Sequence, residues 1–501
     1  MKINNNYFYI TLSVLMVAAA LITGSTIIGL AAAGIISIFA FIRRENGLLL
    51  LILFVSIRPF LIAMNPGLKV LGDLIILALL LKTVFTYRKQ MKSLFQFHIF
   101  EYAFFLYLIL GIISALITGV DPKAIIIQFR AYILFYLVFY VVKRMDLKQT
   151  FILKAIWTTF YVAVVMSIQG IVEKISDKTL LMPEAWTNWS LSNTNHIRVY
   201  GLLKGPNEMA LFLSIAFVLS LYLLYQYQGW KRVGIYSGLV LIGTTFLLTY
   251  SRGAILALIV FGIAYLIFFR SKKQMLHLIS IFALSFAMFF IVVKLSDIYY
   301  DYLYNTDDTY TEESDYVDES ESAPSKKQAK SKYQEEAANR YKEAFSEDTL
   351  TMSGTDGRLY YVTKAIEVFK DYPVIGSGFG TFGGAATLAY SSPIYEDYDI
   401  AFNFYSDNQY ILTLAETGVV GVLVLSVFVL SLLLFTIRAY KVIEEKRYAL
   451  MLTFFIITMI VGGLIYNILE NDTFMLFYFL LLGIVFHKNN QVFHKTKKTV
   501  E

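Results

Sequence analysis

Cysteine is absent from the 501 residues, which excludes disulfides, thiol nucleophiles and Cys-based metal sites. Histidine is scarce: His98, His196, His277, His487 and His494 are scattered and make no ligand spacing such as H-E-x-x-H. Charged residues make up only 16% of the chain against 57% hydrophobic ones, too apolar a balance for a string of soluble domains. No Walker A sequence occurs. The run Gly376-Ser377-Gly378-Phe379-Gly380 follows a proline-terminated segment, lacks the strand and downstream acid of a dinucleotide fold, and reads as a turn. No repeat appears at the periods that mark solenoids or propellers.

What is present is a series of apolar runs, each approaching the roughly 20 residues a membrane helix needs. Fourteen candidate spans lie at about 7–23, 26–42, 48–64, 70–86, 100–118, 125–142, 151–172, 208–227, 233–250, 254–270, 275–294, 409–436, 449–467 and 472–486. Very short links join some neighbours, so a merged or re-entrant span lowers the number to thirteen or twelve. The expected fold is an all-α polytopic membrane protein of about 12–14 transmembrane helices with a large extracellular loop subdomain. The first run follows only a weakly basic end at Lys2 and is closely followed by a second, which reads as an uncleaved helix.

Alternate connections hold most of the basic residues: Arg43 and Arg44, Arg88 and Lys89, Lys143 and Arg144, Lys231 and Arg232, Lys272 and Lys273, Arg438 and Lys441. The short connections between them carry little beyond Lys69, Lys123 and Arg252, so the positive-inside rule puts both termini in the cytoplasm. Topology accounts for the net charge of +6, and nucleic acid is not an expected partner. Residues 1–294 form the first membrane block, with an outer loop at 173–207. Residues 295–408 form the large extracellular loop and 409–501 the C-terminal helices and tail. Within the loop, 295–350 is read as an acidic, flexible spacer: ten acids and no Lys or Arg lie between Asp297 and Glu321, followed by a stretch from Lys326 to Glu347 that suits an exposed helix. Residues 354–408 are read as ordered, because Leu359, Val362, Ala365, Ile366 and Phe369 keep a helical period that Pro373 ends.

Ionisable residues in or beside apolar spans are candidates for function, since a central Arg or Lys costs about 2.5–3.5 kcal/mol to insert. Arg58, Asp73, Arg130, Arg252 and Glu470 fall toward the outer leaflet, whereas Lys82 and Lys154 lie near the inner face and snorkel. The three arginines either pair with Asp73 and Glu470 or hold an anionic ligand together with Arg358. A guanidinium suits phosphate because its planar fork donates bidentate hydrogen bonds and stays charged when desolvated. The outer loop adds Trp186 and Trp189, as interfacial anchors or sugar-stacking faces, and His196, Arg198, Lys204 and Asn207.

Four segments stand out together: Gly201 through Ala210 with its Pro206-Asn207 pair, Ser251-Arg252-Gly253-Ala254, Gly357-Arg358 through Gly380, and Asp407-Asn408-Gln409-Tyr410 with Glu416-Thr417-Gly418 and Gly421. In this order they resemble the O-antigen ligase and polymerase-like membrane proteins, which handle undecaprenyl-diphosphate-linked glycans. The resemblance implies glycosyl transfer at the outer face of the cytoplasmic membrane. Arg252 and Arg358 would bind the lipid diphosphate, with Arg58, Arg130, Arg198, Lys204, Asn207, Asn408, Glu416 and Glu470 as further substrate-binding residues. Asp407 stands where ligase-like members carry a histidine that activates the acceptor hydroxyl, and it is open between proton acceptor, sugar ligand and helix cap. The expected activity is polymerisation of lipid-linked repeat units of capsule, exopolysaccharide or teichuronic-acid type. The alternatives are ligase-like transfer of a finished glycan to another acceptor, and a lipid-glycan flippase. Expected partners are the lipid-linked glycan, membrane lipids and other polysaccharide-assembly proteins. No metal or other cofactor is expected, and activity that survives chelation is the corresponding test.

Overall fold

The computed structural model describes residues 5–180, 183, 186, 191, 193–269, 272–307 and 358–498. Most of the acidic spacer, the helix expected at 326–347, and Trp189 lie outside the described residues. Among the described residues every regular element is helical. The first half comprises α1 (Asn5–Thr23), α2 (Thr26–Ile42), α3 (Arg44–Val55), α4 (Arg58–Met64), α5 (Leu71–Tyr87), α6 (Ile99–Thr118), α7 (Pro122–Val142) and α8 (Gln149–Ile175). The second half comprises α9 (Pro206–Gln226), α10 (Gly229–Leu248), α11 (Arg252–Phe269), α12 (Lys272–Asp307), α13 (Arg358–Asp371), α14 (Gln409–Val442), α15 (Lys446–Gly462) and α16 (Asp472–Lys498).

Each of the fourteen apolar runs overlaps a helix or, for 48–64, the pair α3 and α4, though the run at 449–467 is helical only as far as Gly462. Among the described residues seven helices are long and apolar enough to cross a membrane by themselves, and the bent pair adds an eighth; α1, α2 and α11 offer shorter apolar stretches. The protein is a multi-pass, all-α membrane protein. The helix expected to stop at 294 runs on to Asp307.

Three departures from straight spans shape one end of the bundle, the end that carries residues 358–408 (the loop end). The first is a 73° bend between α3 and α4. Pro59 sits in the first turn of α4, has no N–H to give to Val55, and its ring excludes that carbonyl, so the chain turns and carries Arg58 sideways. The second is a break in α14 at Gly418, whose backbone is non-helical (φ +59). The amides that the break leaves over are satisfied from outside the helix: Val419 N–H donates to Pro373 O (2.9 Å) and Val420 N–H to Val374 O (3.1 Å).

The third is the glycine-rich turn that docks into this break. Ser377 N–H and Gly378 N–H donate to the carbonyls of Ala415 and Glu416 (2.9 and 2.8 Å), while Phe379 N–H donates to Gly111 O of α6 (3.0 Å). The Phe379 ring is fully buried between Tyr107 and Tyr132, at centroid distances of 5.5 and 5.2 Å. Gly111 lies seven residues from the end of α6, so the turn reaches about 10 Å down that helix. α13 packs against α14, and Ala365 and Val368 join Phe382, Ile394, Tyr395, Ile400 and Phe404 in a small core of their own. Residues 358–408 are therefore a folded unit keyed into the bundle.

Candidate functional site

At the loop end these elements enclose a cavity of about 600 Å³. Its charged lining residues are Arg58 and Arg130, Lys204, Glu208, Asp407, Glu470 and Asp472, accompanied by Asn207, Tyr405, Tyr466, Asn467 and Asn471. Apolar Val55, Ile62, Ile127 and Leu388 complete the wall. Residues 414 positions apart thus meet: Arg58 donates to Asp472 in an ion pair.

Arg130 makes a two-point contact with Asp73, Nε to Oδ2 at 2.9 Å and Nη2 to Oδ1 at 2.5 Å. Lys204 is exposed and makes no ion pair among the described residues, so its charge is the one most open to an anionic ligand. Asn207 is held by its carbonyl: Arg198 Nη2 (2.6 Å) and Ser251 Oγ (3.1 Å) both donate to Oδ1, which leaves the Nδ2 amide for the cavity. Arg198 is buried and also donates to Thr249 O (2.7 Å) and Asn195 Oδ1 (3.1 Å), so it pins the wall from behind.

The segment before α14 supplies the opposite wall. Asn408 caps α14, its Oδ1 accepting from the N–H groups of Tyr410 (2.9 Å) and Ile411 (3.3 Å). Asp407 precedes the cap, is exposed, and has φ +47 in the left-handed region that non-glycine residues seldom occupy. Such strain persists only where surrounding contacts hold it. Here Asn467 Oδ1 accepts from Ser406 Oγ (2.8 Å) and Asn408 N–H (3.0 Å), clamping both sides of Asp407 to the link between α15 and α16.

Glu470, in that link and outside both helices, is buried beside the cavity. Gln128 and Tyr132 (3.1 Å) donate to its Oε1, and Tyr405 OH reaches Oε2 at 3.4 Å. Burial outweighs these donors and pushes its carboxyl up to about 7. The Tyr405 phenol is pushed well above its usual range by burial and by the Glu470, Asp407 and Glu208 carboxylates. A carboxyl raised on folding adds stability that is fully present below about 4.5 and is lost as pH rises through about 7. Glu470→Gln cannot titrate. Its unfolding free energy, compared with the parent's between pH 4.5 and 8, is expected to lack a decline on the order of 3 kcal/mol. Parallel pH curves for the two proteins would refute this.

Glu416 is fully buried and lines no part of the cavity. Its Oε1 accepts from the Gly380 (2.9 Å) and Phe382 (3.2 Å) N–H groups, so it anchors the glycine-rich turn. Glu416→Ala leaves those amides unpaired and is expected to cost about 2–4 kcal/mol, read as a lowered unfolding midpoint, with Glu416→Gln closer to the parent. Unchanged stability with lost activity would instead make Glu416 a ligand residue.

Of the residues singled out from the sequence, the cavity gathers Arg58, Arg130, Lys204, Asn207, Asp407 and Glu470. Arg198, Asn408 and Glu416 support it from behind. Arg252 opens α11, exposed, beside Ser251, whose hydroxyl contacts Asn207 and Tyr466, and it does not line the cavity. Arg358 begins α13, and its side chain lies outside the described residues. Glu208, Tyr405 and Asp472 were not singled out. Glu208 follows Pro206-Asn207 at a helix start and Asp472 opens a span, and acids at those positions commonly complement the helix dipole.

Fold and site together define a multi-pass helical membrane protein with a mixed-charge cavity at one end of its bundle. Residues 237–426 match the family model described as O-antigen ligase, so that segment of the chain is similar to the O-antigen ligase proteins. That kind of protein transfers glycans, with a lipid-linked glycan as the implied substrate. The matched segment contains Arg252, Arg358, Asp407 and Glu416, while Arg58, Arg130, Lys204 and Glu470 lie outside it. No curated protein matches the chain.

Proposed function

We propose that the protein polymerises lipid-diphosphate-linked oligosaccharide repeat units at the outer face of the cytoplasmic membrane, adding one unit to another. The observation that carries this reading is the pairing, in one cavity, of basic side chains with an exposed carboxylate held in a strained conformation, Asp407. The acceptor hydroxyl attacks the anomeric carbon of the donor, and the bond from that carbon to the diphosphate breaks. The diphosphate leaves with the electron pair, and Asp407 takes the hydroxyl proton. Fixed positive charge favours this step because charge grows on the leaving group in the transition state.

Lys204 supplies charge directly, and Arg58 and Arg130 supply it as phosphate competes with Asp472 and Asp73 for their guanidinium groups. Arg252, next to Ser251, and Arg358 form the diphosphate clamp that the resemblance implies. The outward orientation rests on the basic residues at the opposite end of the bundle. The family match favours a second reading, transfer of a finished glycan to a different acceptor. Purified protein given synthetic lipid-linked repeat units alone tests both. Products longer by whole repeats support polymerisation, and no extension until a separate acceptor is added supports ligation. Translocation of intact units without any new bond would refute glycan transfer.

A further inference from the structure

At the end of the bundle opposite the loop end lies a second cavity, of about 230 Å³, between the end of α9 and the starts of α10 and α12. Its lining includes Tyr227, Gln228, Arg232, Gln274 and His277, and it shares no residue with the first cavity. Arg232 Nη2 meets His277 Nε2 at 2.8 Å. A guanidinium has only donors, so that imidazole nitrogen accepts and its ring is neutral in this contact. Among the described residues no carboxylate forms an ion pair with Arg232, and its charge stands half-buried without a counter-ion.

The other polar groups point to the same ligand chemistry. Gln274 Oε1 accepts from Tyr265 OH (3.2 Å), which leaves its amide N–H groups to donate. Tyr227 OH accepts from Trp157 Nε1 (3.2 Å), which leaves its own proton to donate. The recess therefore offers donors and one uncompensated positive charge, the complement of phosphate oxygens. Trp230, 90% exposed, and exposed Lys231 stand beside it at the start of α10, a pairing suited to the headgroup layer of a bilayer.

We propose that this cavity binds the phosphate of an anionic lipid headgroup. Basic pockets between membrane helices are suited to such headgroups, which join charge to an anchored acyl chain. The site is independent of the glycan-transfer reading, because neither its residues nor its ligand belong to the larger cavity.

The test titrates the detergent-purified full chain with short-chain phosphatidylglycerol, short-chain phosphatidylcholine and inorganic phosphate, reading the unfolding midpoint. Phosphatidylglycerol is expected to raise it at lower concentration than phosphatidylcholine. Arg232→Gln is expected to raise the half-saturating concentration about tenfold. Arg232→Lys should retain part of the response, and Lys89→Gln, the same change of charge on an exposed residue elsewhere, should retain all of it. Gln274→Glu places a carboxylate in the recess with little change of shape and should abolish the response, which keeps the test decisive if Arg232→Gln does not fold. An equal, Arg232-dependent response to inorganic phosphate would overturn the lipid source and leave a phosphate site. Equal responses to the two lipids, or a phosphatidylglycerol response unchanged in Arg232→Gln and Gln274→Glu, would overturn the proposal.

Discussion

Gly378→Ala is expected to undock residues 372–408 from the bundle and to remove activity with them. Gly378 has φ +101, outside the range open to alanine, and a Cβ there would fall on the backbone of Ser114 and Ala115 in α6. Neither side can yield: α6 is held by its own hydrogen bonds, and the turn is held by Gly378 N–H on Glu416 O. Backbone strain of about 1–3 kcal/mol adds to an overpacking cost of similar size. Displacing Phe379 from between Tyr107 and Tyr132 forfeits about 3 kcal/mol more. The sum rivals the stability with which a unit of this size is held, so the turn should release rather than adjust. Limited proteolysis of the purified variant should cut within 372–408 under conditions that spare the parent, with a lowered unfolding midpoint. Gly34→Ala is the control. Its Cβ would meet nothing within 4 Å, and alanine suits a helix better, so it should be neutral or slightly stabilising. Proteolysis patterns alike in the parent and Gly378→Ala would contradict the tight docking described above.

Much of the helical layout was open to inspection because a long apolar run in a chain this hydrophobic has few other outcomes; the runs at 208–227 and 409–436 became α9 and α14 with small shifts at their ends. The bend before α4 was less visible, although Pro59 beside Arg58 carried its cause. Charge placement in spans led to Arg58, Arg130 and Glu470, because a membrane makes such residues costly wherever they lack a purpose. Their partners were not legible. Arg58 meets Asp472 across almost the whole chain, and no local pattern encodes a contact between α4 and α16. Glu416 shows the same limit from the other side. It stood in a segment rich in site residues, yet its carboxylate serves two backbone amides of a turn some 35 residues earlier. The break at Gly418 decided that, and a single glycine inside an apolar run gives no sign of it.

Asp407→Asn is expected to lower the rate of chain extension by about 10² or more while leaving the protein folded. Asparagine is the informative replacement because it tolerates the left-handed backbone that Asp407 adopts, and the clamps on Ser406 and Asn408 do not involve the carboxylate. The substitution therefore removes the negative charge and the proton-accepting capacity while conserving shape. Cap and active roles are already separated, since Asn408 takes the capping position. Two roles remain, and the kinetics tell them apart. If Asp407 accepts the acceptor's proton, kcat falls and KM changes little, because the lost interaction is made only in the transition state. If it binds sugar hydroxyls, KM rises with kcat nearly kept, because donor and transition state lose the same contact. Extension of synthetic lipid-linked repeat units by purified protein gives both constants. A variant with both constants within about threefold of the parent would remove Asp407 from the chemistry and leave the cavity's other carboxylates, Glu208, Glu470 and Asp472, as candidates for the proton acceptor.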